Sequence, residues 1–238
     1  MIGMKEVNPM IRAAVFDLDH TLYDRYGTLR LIAPMFREHF AVTPGVTDEF
    51  IAETICWADR QFVHRGWHEI LQCLIDADVF ETPPPYPEYE AFLLGCFTKV
   101  AVPFPFTIPM LDTLRERGVL TGLITNGKHA VQTAKLHLLG LEDKFDAIVI
   151  SGDTPYQKPQ PEIFQYAAGM LGVTTAEMMY VGDHPKFDVD GSRAAGCTPV
   201  WVMTTGTWIY PEIEKPPLRV ETVEEIPPLL AALNGANP

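Results

Sequence analysis

The chain has 238 residues and a formal net charge of −13, with 47% hydrophobic and 21% charged residues. That length suits one large domain or a core with a smaller insertion, and the composition is that of a globular chain with a sizeable core. The acid excess argues against a nucleic-acid polymer as partner; it permits a small phosphorylated molecule, because one metal ion and one lysine in a cleft reverse the local potential.

Four cysteines, Cys56, Cys73, Cys96 and Cys197, form no C-x-x-C pair and have no accompanying histidine pattern. This argues against zinc and against a disulfide framework. Residues 1–12 lack the apolar core of a signal peptide, and no run approaches the ~18 apolar residues of a membrane span. The expected setting is cytoplasmic, with no membrane partner.

The first element is the apolar run Met10–Phe16, which reads as a buried parallel strand delivering Asp17 at its carboxyl end. From Asp24 to Val102 the pattern becomes helical, over Leu29–His39, Thr47–Val63, Trp67–Ala77 and Glu88–Thr98. Pro83, Pro84, Pro85 and Pro87 interrupt this stretch, and Pro103, Pro105 and Pro109 close it. The region reads as an inserted helical domain bounded by hinges.

An alternation follows. Met110–Arg117 is a helix ended by Gly118, Val119–Ile124 a strand, His129–Leu139 a helix and Ala147–Ile150 a strand. Pro161–Leu171 is a helix with proline in its first turn, Met178–Val181 a strand, Val189–Ala195 a helix and Pro199–Met203 a strand. Val223–Leu233 is the last helix. Strands alternating with helices predict an α/β fold with a doubly wound parallel sheet, whose ligands bind outside the carboxyl ends of the strands.

Four short signals fall at such ends. Asp17-Leu18-Asp19-His20-Thr21 puts two carboxylates two residues apart, on one side of an extended chain. Like charges that close split their pKa values, which suits a nucleophile beside a general acid. Thr125-Asn126-Gly127 offers a hydroxyl, an amide and a backbone N–H to phosphoryl oxygens. Lys158, between Gln157 and Pro159, supplies a compact positive charge. Gly182-Asp183 through Asp188 adds two acids, hard oxygen ligands that suit Mg²⁺. Each alone also fits a turn or a capped helix start; together they compose a phosphoryl-transfer kit.

The four motifs, in this order and spacing, closely resemble those of the haloacid dehalogenase superfamily: D-x-D-x-T at Asp17–Thr21, a Thr after a strand at Thr125, the lysine at Lys158 and G-D-x-x-x-x-D at Gly182–Asp188. The resemblance covers residues 10–22 and 105–205. It implies a Rossmann-like core, residues 1–22 and 105–238, with a helical cap domain over residues 23–104. It also implies that Asp17 attacks phosphorus, while Asp19 protonates the leaving oxygen and then activates water. Leu18, Thr125, Asn126 and Lys158 would hold the phosphoryl group. Mg²⁺ would be bound by Asp17, the Asp19 carbonyl and Asp183, and Asp188 would orient that shell or bind through water.

The implied activity is a Mg-dependent phosphatase acting on a small phosphorylated metabolite, as monomer or homodimer. Tyr23, Arg25, His64, Arg65, Trp67 and His68 are candidates to read the leaving group, and Leu22–Gly27 to supply part of the hinge. His20, beside the acid pair, is given no chemistry beyond local charge. The rival activities are a 2-haloacid dehalogenase, which usually lacks the second acid, and a phosphosugar mutase, which shares every core motif. A binding module that had lost activity would be expected to lack Asp17, Lys158 or Asp183.

Overall fold

The computed structural model describes residues 9–62, 66–204, 208 and 210–235. In chain order the strands are β1 Ala13–Phe16, β2 Tyr23–Asp24, β3 Val102–Pro103, β4 Leu120–Thr125, β5 Ala147–Ile150, β6 Met178–Gly182, β7 Thr198–Val202 and β8 Arg219–Val220. Six of them form a sheet in the order β5-β4-β1-β6-β7-β8, and every pairing in it is parallel. β2 and β3 form a separate antiparallel pair.

The helices are α1 Arg25–Ile32, α2 Met35–His39, α3 Asp48–Phe62, α4 Trp67–Asp76, α5 Tyr86–Phe97, α6 Thr107–Glu116, α7 His129–Leu139, α8 Pro161–Leu171, α9 Gly191–Ala194 and α10 Ile226–Leu233. Alternate residues of β1 face opposite sides of the sheet. Ala14 and Phe16 pack with Leu111 and Leu114 of α6, Leu136 of α7 and Leu230 of α10. Ala13 and Val15 pack with Ile163, Phe164 and Ala167 of α8. A strand covered on both faces must be apolar throughout, which is why Ala-Ala-Val-Phe sits at the centre of the sheet. This is the doubly wound α/β fold that the alternation predicts.

Between β2 and β3, α1 to α5 gather a hydrophobic cluster of their own, including Phe36, Ile51, Ile55, Leu74, Tyr89 and Phe97. Val131 of α7 belongs to this cluster too, so one helix of the sheet layer also packs against the helical layer.

Several boundaries differ from the sequence reading. The first strand begins at Ala13, and Met10 is exposed. Leu29–His39 divides into α1 and α2 around Ala33-Pro34, because proline removes a donor from the helical ladder. α6 starts before Pro109, which falls in its first turn, where a missing N–H costs nothing. The stretch read as a helix from Val189 is a π-type turn over Pro185–Asp190 followed by the short α9. A three-residue 3₁₀ turn, Val223–Glu225, precedes α10. β2, β3 and β8 are two residues each, too short to show a periodic pattern.

Candidate active site

The sheet register brings the motifs together. Phe16 pairs with Leu123 on one side and Val181 on the other. The next residue, Asp17, therefore lies level with the last residues of β4 and of β6. Its backbone N–H donates to the Val181 carbonyl at 2.9 Å. Thr125 ends β4, Gly182 ends β6, and Lys158 precedes α8.

Asp17, Asp19, Thr125, Asn126, Lys158, Asp183 and Asp188 all line one cavity of about 410 Å³. The Leu18 side chain instead lies fully buried in the core beneath, so any part it takes in phosphate binding falls to its backbone.

Lys158 is the centre of the inner half of this cavity. Its ammonium donates to Asp17 Oδ1 at 2.6 Å, to Asp188 Oδ1 at 2.7 Å and to the Tyr180 hydroxyl at 3.0 Å. Asp188 is held on its other oxygen by the His184 N–H at 2.9 Å. The π-type turn makes that geometry, because the widened coil turns the Asp188 carboxylate back over His184. Gly182 makes room for it: a Cβ there would collide with the Asp188 carboxyl group. The Asn126 amide exchanges two hydrogen bonds of 3.0 Å with the Lys158 backbone and so ties the Thr125 loop to the lysine loop.

Asp17, Asp183 and Asp188 each place a carboxylate oxygen within 4.8 Å of the others. Among the described residues no donor reaches the Asp183 carboxylate. A buried acid without a donor, crowded by two more, calls for a cation, and three hard oxygen donors suit Mg²⁺. Burial raises the Asp17 pKa to about 7, with Asp188 and Asp19 adding to the rise and Lys158 opposing it. Burial and the charges of Asp188 and Asp17 push Asp183 well above the ordinary carboxylate value.

The outer half is different. Asp19 Oδ1 accepts hydrogen bonds from the Tyr23 hydroxyl and, at 2.7 Å, from Arg25 Nη1. Lys135 of α7 lies 2.9 and 3.0 Å from the two Asp19 oxygens. Burial favours a high Asp19 pKa, but Lys135, Arg25 and the Tyr23 hydrogen bond together outweigh it and hold the carboxyl well below its ordinary value. Arg25 is also gripped by buried Asp59 of α3, at 3.0 Å from Nε and 2.7 Å from Nη2. Gln132 of α7 donates to the Thr125 hydroxyl and reaches Asp19 Oδ2 at 3.4 Å.

His20 takes a left-handed backbone conformation (φ 63°) and places Nε2 3.9 Å from Asp59. The cavity mouth is lined by Trp67, Tyr86, Glu90 and Leu94 of the helical layer, with Lys128 and Val131 opposite. His68 does not line the cavity and packs 5.3 Å from the Tyr86 ring. His64 and Arg65 lie outside the described residues.

Sequence reasoning missed Lys135, Gln132, Asp59 and Tyr180. Gln132, Lys135 and Leu139 lie on one stripe of α7 at spacings of three and four, and Leu139 is core. Two polar residues on a helix's buried stripe are the signal that was there to read.

The chain belongs to the haloacid dehalogenase-like hydrolases, whose family pattern it matches over residues 11–196. It is similar to a glyceraldehyde 3-phosphate phosphatase of Methanopyrus kandleri, 33% identical over 80% of this chain and 83% of that protein. It also resembles the N-acylneuraminate-9-phosphatase of Mus musculus, 34% identical over 94% of this chain and 95% of that one. Among solved structures, the L-2-haloacid dehalogenase of Xanthobacter autotrophicus shares the fold, with a TM-score of 0.68 and 20% identity over 93% of this chain and 98% of that one.

Proposed function

We propose that the protein is a Mg²⁺-dependent phosphomonoester hydrolase that acts on a small phosphorylated metabolite through an aspartyl-phosphate on Asp17. The carrying observation is the buried meeting of Asp17, Asp183 and Asp188 around Lys158, with a second acid, Asp19, only two residues from the first. Relatives bearing phosphatase names support the same class.

Asp17 and Asp183 would hold the metal, with the Asp19 carbonyl; both Asp188 oxygens already accept hydrogen bonds from the protein, which suits an orienting part. When bound, Mg²⁺ supplies the positive charge that offsets three crowded carboxylates and a phosphoryl group, and so favours ionised Asp17 at neutral pH.

Against the effect of burial, Lys135 and Arg25 hold Asp19 ionised before substrate arrives, and an incoming phosphoryl dianion opposes them and favours its protonated form. An Asp17 oxygen attacks phosphorus, and the bond to the leaving oxygen breaks as Asp19 gives that oxygen its proton. Asp19 then takes a proton from water, whose oxygen attacks phosphorus and frees Asp17 and inorganic phosphate. Lys158, the Thr125 hydroxyl and the Asn126 backbone hold the phosphoryl oxygens. The helical layer of residues 23–104 acts as a cap, and Trp67, Tyr86 and Glu90 meet the leaving group.

A dehalogenase needs no acid for its halide leaving group, so the presence of Asp19 two residues after Asp17 favours the phosphatase. The four cysteines are free, which fits a reducing cytoplasmic setting, and no helix among the described residues is long and apolar enough to cross a membrane. The test is release of phosphate from p-nitrophenyl phosphate, lost on chelation and restored by Mg²⁺. Isomerisation of a phosphosugar with a bisphosphate primer, without net phosphate release, would overturn it in favour of a mutase.

A further inference from the structure

Thr125 ends β4 and Gln132 stands in α7 just beyond the loop that joins the two, and both are nearly fully buried. Among the described residues the Thr125 hydroxyl has one hydrogen-bond partner, the side-chain amide of Gln132. The same amide nitrogen lies 3.4 Å from the Asn126 carbonyl and 3.4 Å from Asp19 Oδ2. Gly127 lets this side chain lie close over the loop, since a Cβ there would stand 3.0 Å from Gln132 Cγ and Cδ. The proposed reaction gives Gln132 no task.

These neighbours decide which end of the amide faces Thr125. A carbonyl and an ionised carboxylate can only accept. The amide oxygen turned toward them would meet two more oxygens, so the NH₂ end faces inward and donates. Thr125 Oγ1 is therefore the acceptor of the Gln132 bond. A hydroxyl that accepts on one side sends its own proton elsewhere, and Thr125 lines the cavity that holds Asp17 and Lys158.

We propose that Gln132 is the positioning residue for Thr125: by donating to Oγ1 it turns the hydroxyl proton into the cavity, toward a phosphoryl oxygen. Without the amide, the hydroxyl is free to rotate and give its proton to a carboxylate of the same cavity, which leaves lone pairs facing the anion. The N–H donated to Oγ1 also polarises the O–H bond and strengthens it as a donor. Gln132 touches no phosphoryl oxygen in this scheme; it acts through Thr125.

The inference rests on Thr125 holding a phosphoryl oxygen in the proposed hydrolase, and the test separates the two. The Ki of orthovanadate, a phosphate-shaped oxyanion, is measured against p-nitrophenyl phosphate for wild type, Gln132→Met, Thr125→Val and the double variant. Gln132→Met should raise Ki by about 10-fold, the scale of a lost hydrogen bond to a charged group. Thr125→Val should raise it at least as far. The double variant should match Thr125→Val alone, because the amide then has no hydroxyl to orient. Thr125→Ser keeps the hydroxyl, and adding Gln132→Met to it should again cost about 10-fold.

Losses that multiply in the double variant overturn the inference and leave Thr125 its part, since a residue that only supports the loop or Asp19 adds its own loss. An unchanged Ki in Thr125→Val overturns the part given to the hydroxyl, and this inference with it. A wild type that neither hydrolyses the ester nor binds orthovanadate overturns the hydrolase reading itself. If Gln132→Met does not fold, Gln132→Leu carries the same cycle.

Discussion

Asp17 and Asp19 are the same residue type, one position apart from being neighbours, yet their surroundings are opposite. Asp17 faces Asp183 and Asp188 with Lys158 as its bonded cation, and burial lifts its pKa to about 7. Asp19 faces Lys135 and Arg25, and its pKa falls well below the ordinary value. The repulsion within an Asp-x-Asp pair does not by itself say which acid ionises first. The tertiary neighbours decide, and they come from helices α1 and α7 for Asp19 and from the ends of β6 and α8 for Asp17.

The comparison is broken most completely at its acid-rich end. Asp17→Asn keeps the shape and removes the nucleophile, so turnover of p-nitrophenyl phosphate should fall by roughly 10⁴-fold or more, with the far-ultraviolet circular dichroism unchanged. The second test sharpens the cation deficit there. Mg²⁺ at a hundred times its Kd should stabilise the wild type by about 2.7 kcal/mol, read as a rise in thermal midpoint. Asp183→Asn should lose most of that rise, while an added salt of equal ionic strength without a divalent cation should not produce it.

The cation-rich end is tested through Asp59, which is buried and holds Arg25. Removing one partner of a buried pair is destabilising, and Arg25 would keep only Asp19, so Asp59→Asn should cost about 3 kcal/mol in denaturant unfolding. The carboxyl of Asp59 is held well below the ordinary range: burial works against this, and Arg25 and His20 outweigh it. A depressed carboxylate stabilises fully above the unfolded value, about pH 3.9, and that contribution drains away as pH falls toward the folded value. The acid limb of the stability curve below about pH 4 should therefore be shallower in Asp59→Asn than in wild type. The smallest effect belongs to the mouth of the cavity. Glu90 pairs with Lys128 at 3.2 Å, but the lysine is 62% exposed. Glu90→Gln should change stability by no more than about 0.5 kcal/mol.

The fold class was legible because parallel strands covered on both faces must be apolar runs, and β1, β4 and β6 read that way. The residues that meet at their ends were legible for the same reason, since a polar group just past a buried strand stands out. The helical layer supplied weaker signals. Asp59 looks like any acid on an amphipathic helix, and only the fold turns it toward Arg25. Tyr180 sits inside β6, where its hydroxyl had to find a partner, but nothing in the sequence named Lys158 and the Ile124 carbonyl as its contacts. The two-residue strands β2 and β3 pair across 77 intervening positions, and no local pattern encodes that.

The strand order carries a consequence for the chain as it is being made. β1 is synthesised first, but its two hydrogen-bonding neighbours begin at Leu120 and Met178. An apolar segment with both edges bare must wait for more than a hundred residues to emerge before it has anywhere to pair. The helices that follow it have contacts close in sequence and are free to collapse during that delay. Slow translation past the middle of the chain should thus lengthen the interval in which nascent Ala13–Phe16 is open to chaperones or to sticking to its neighbours.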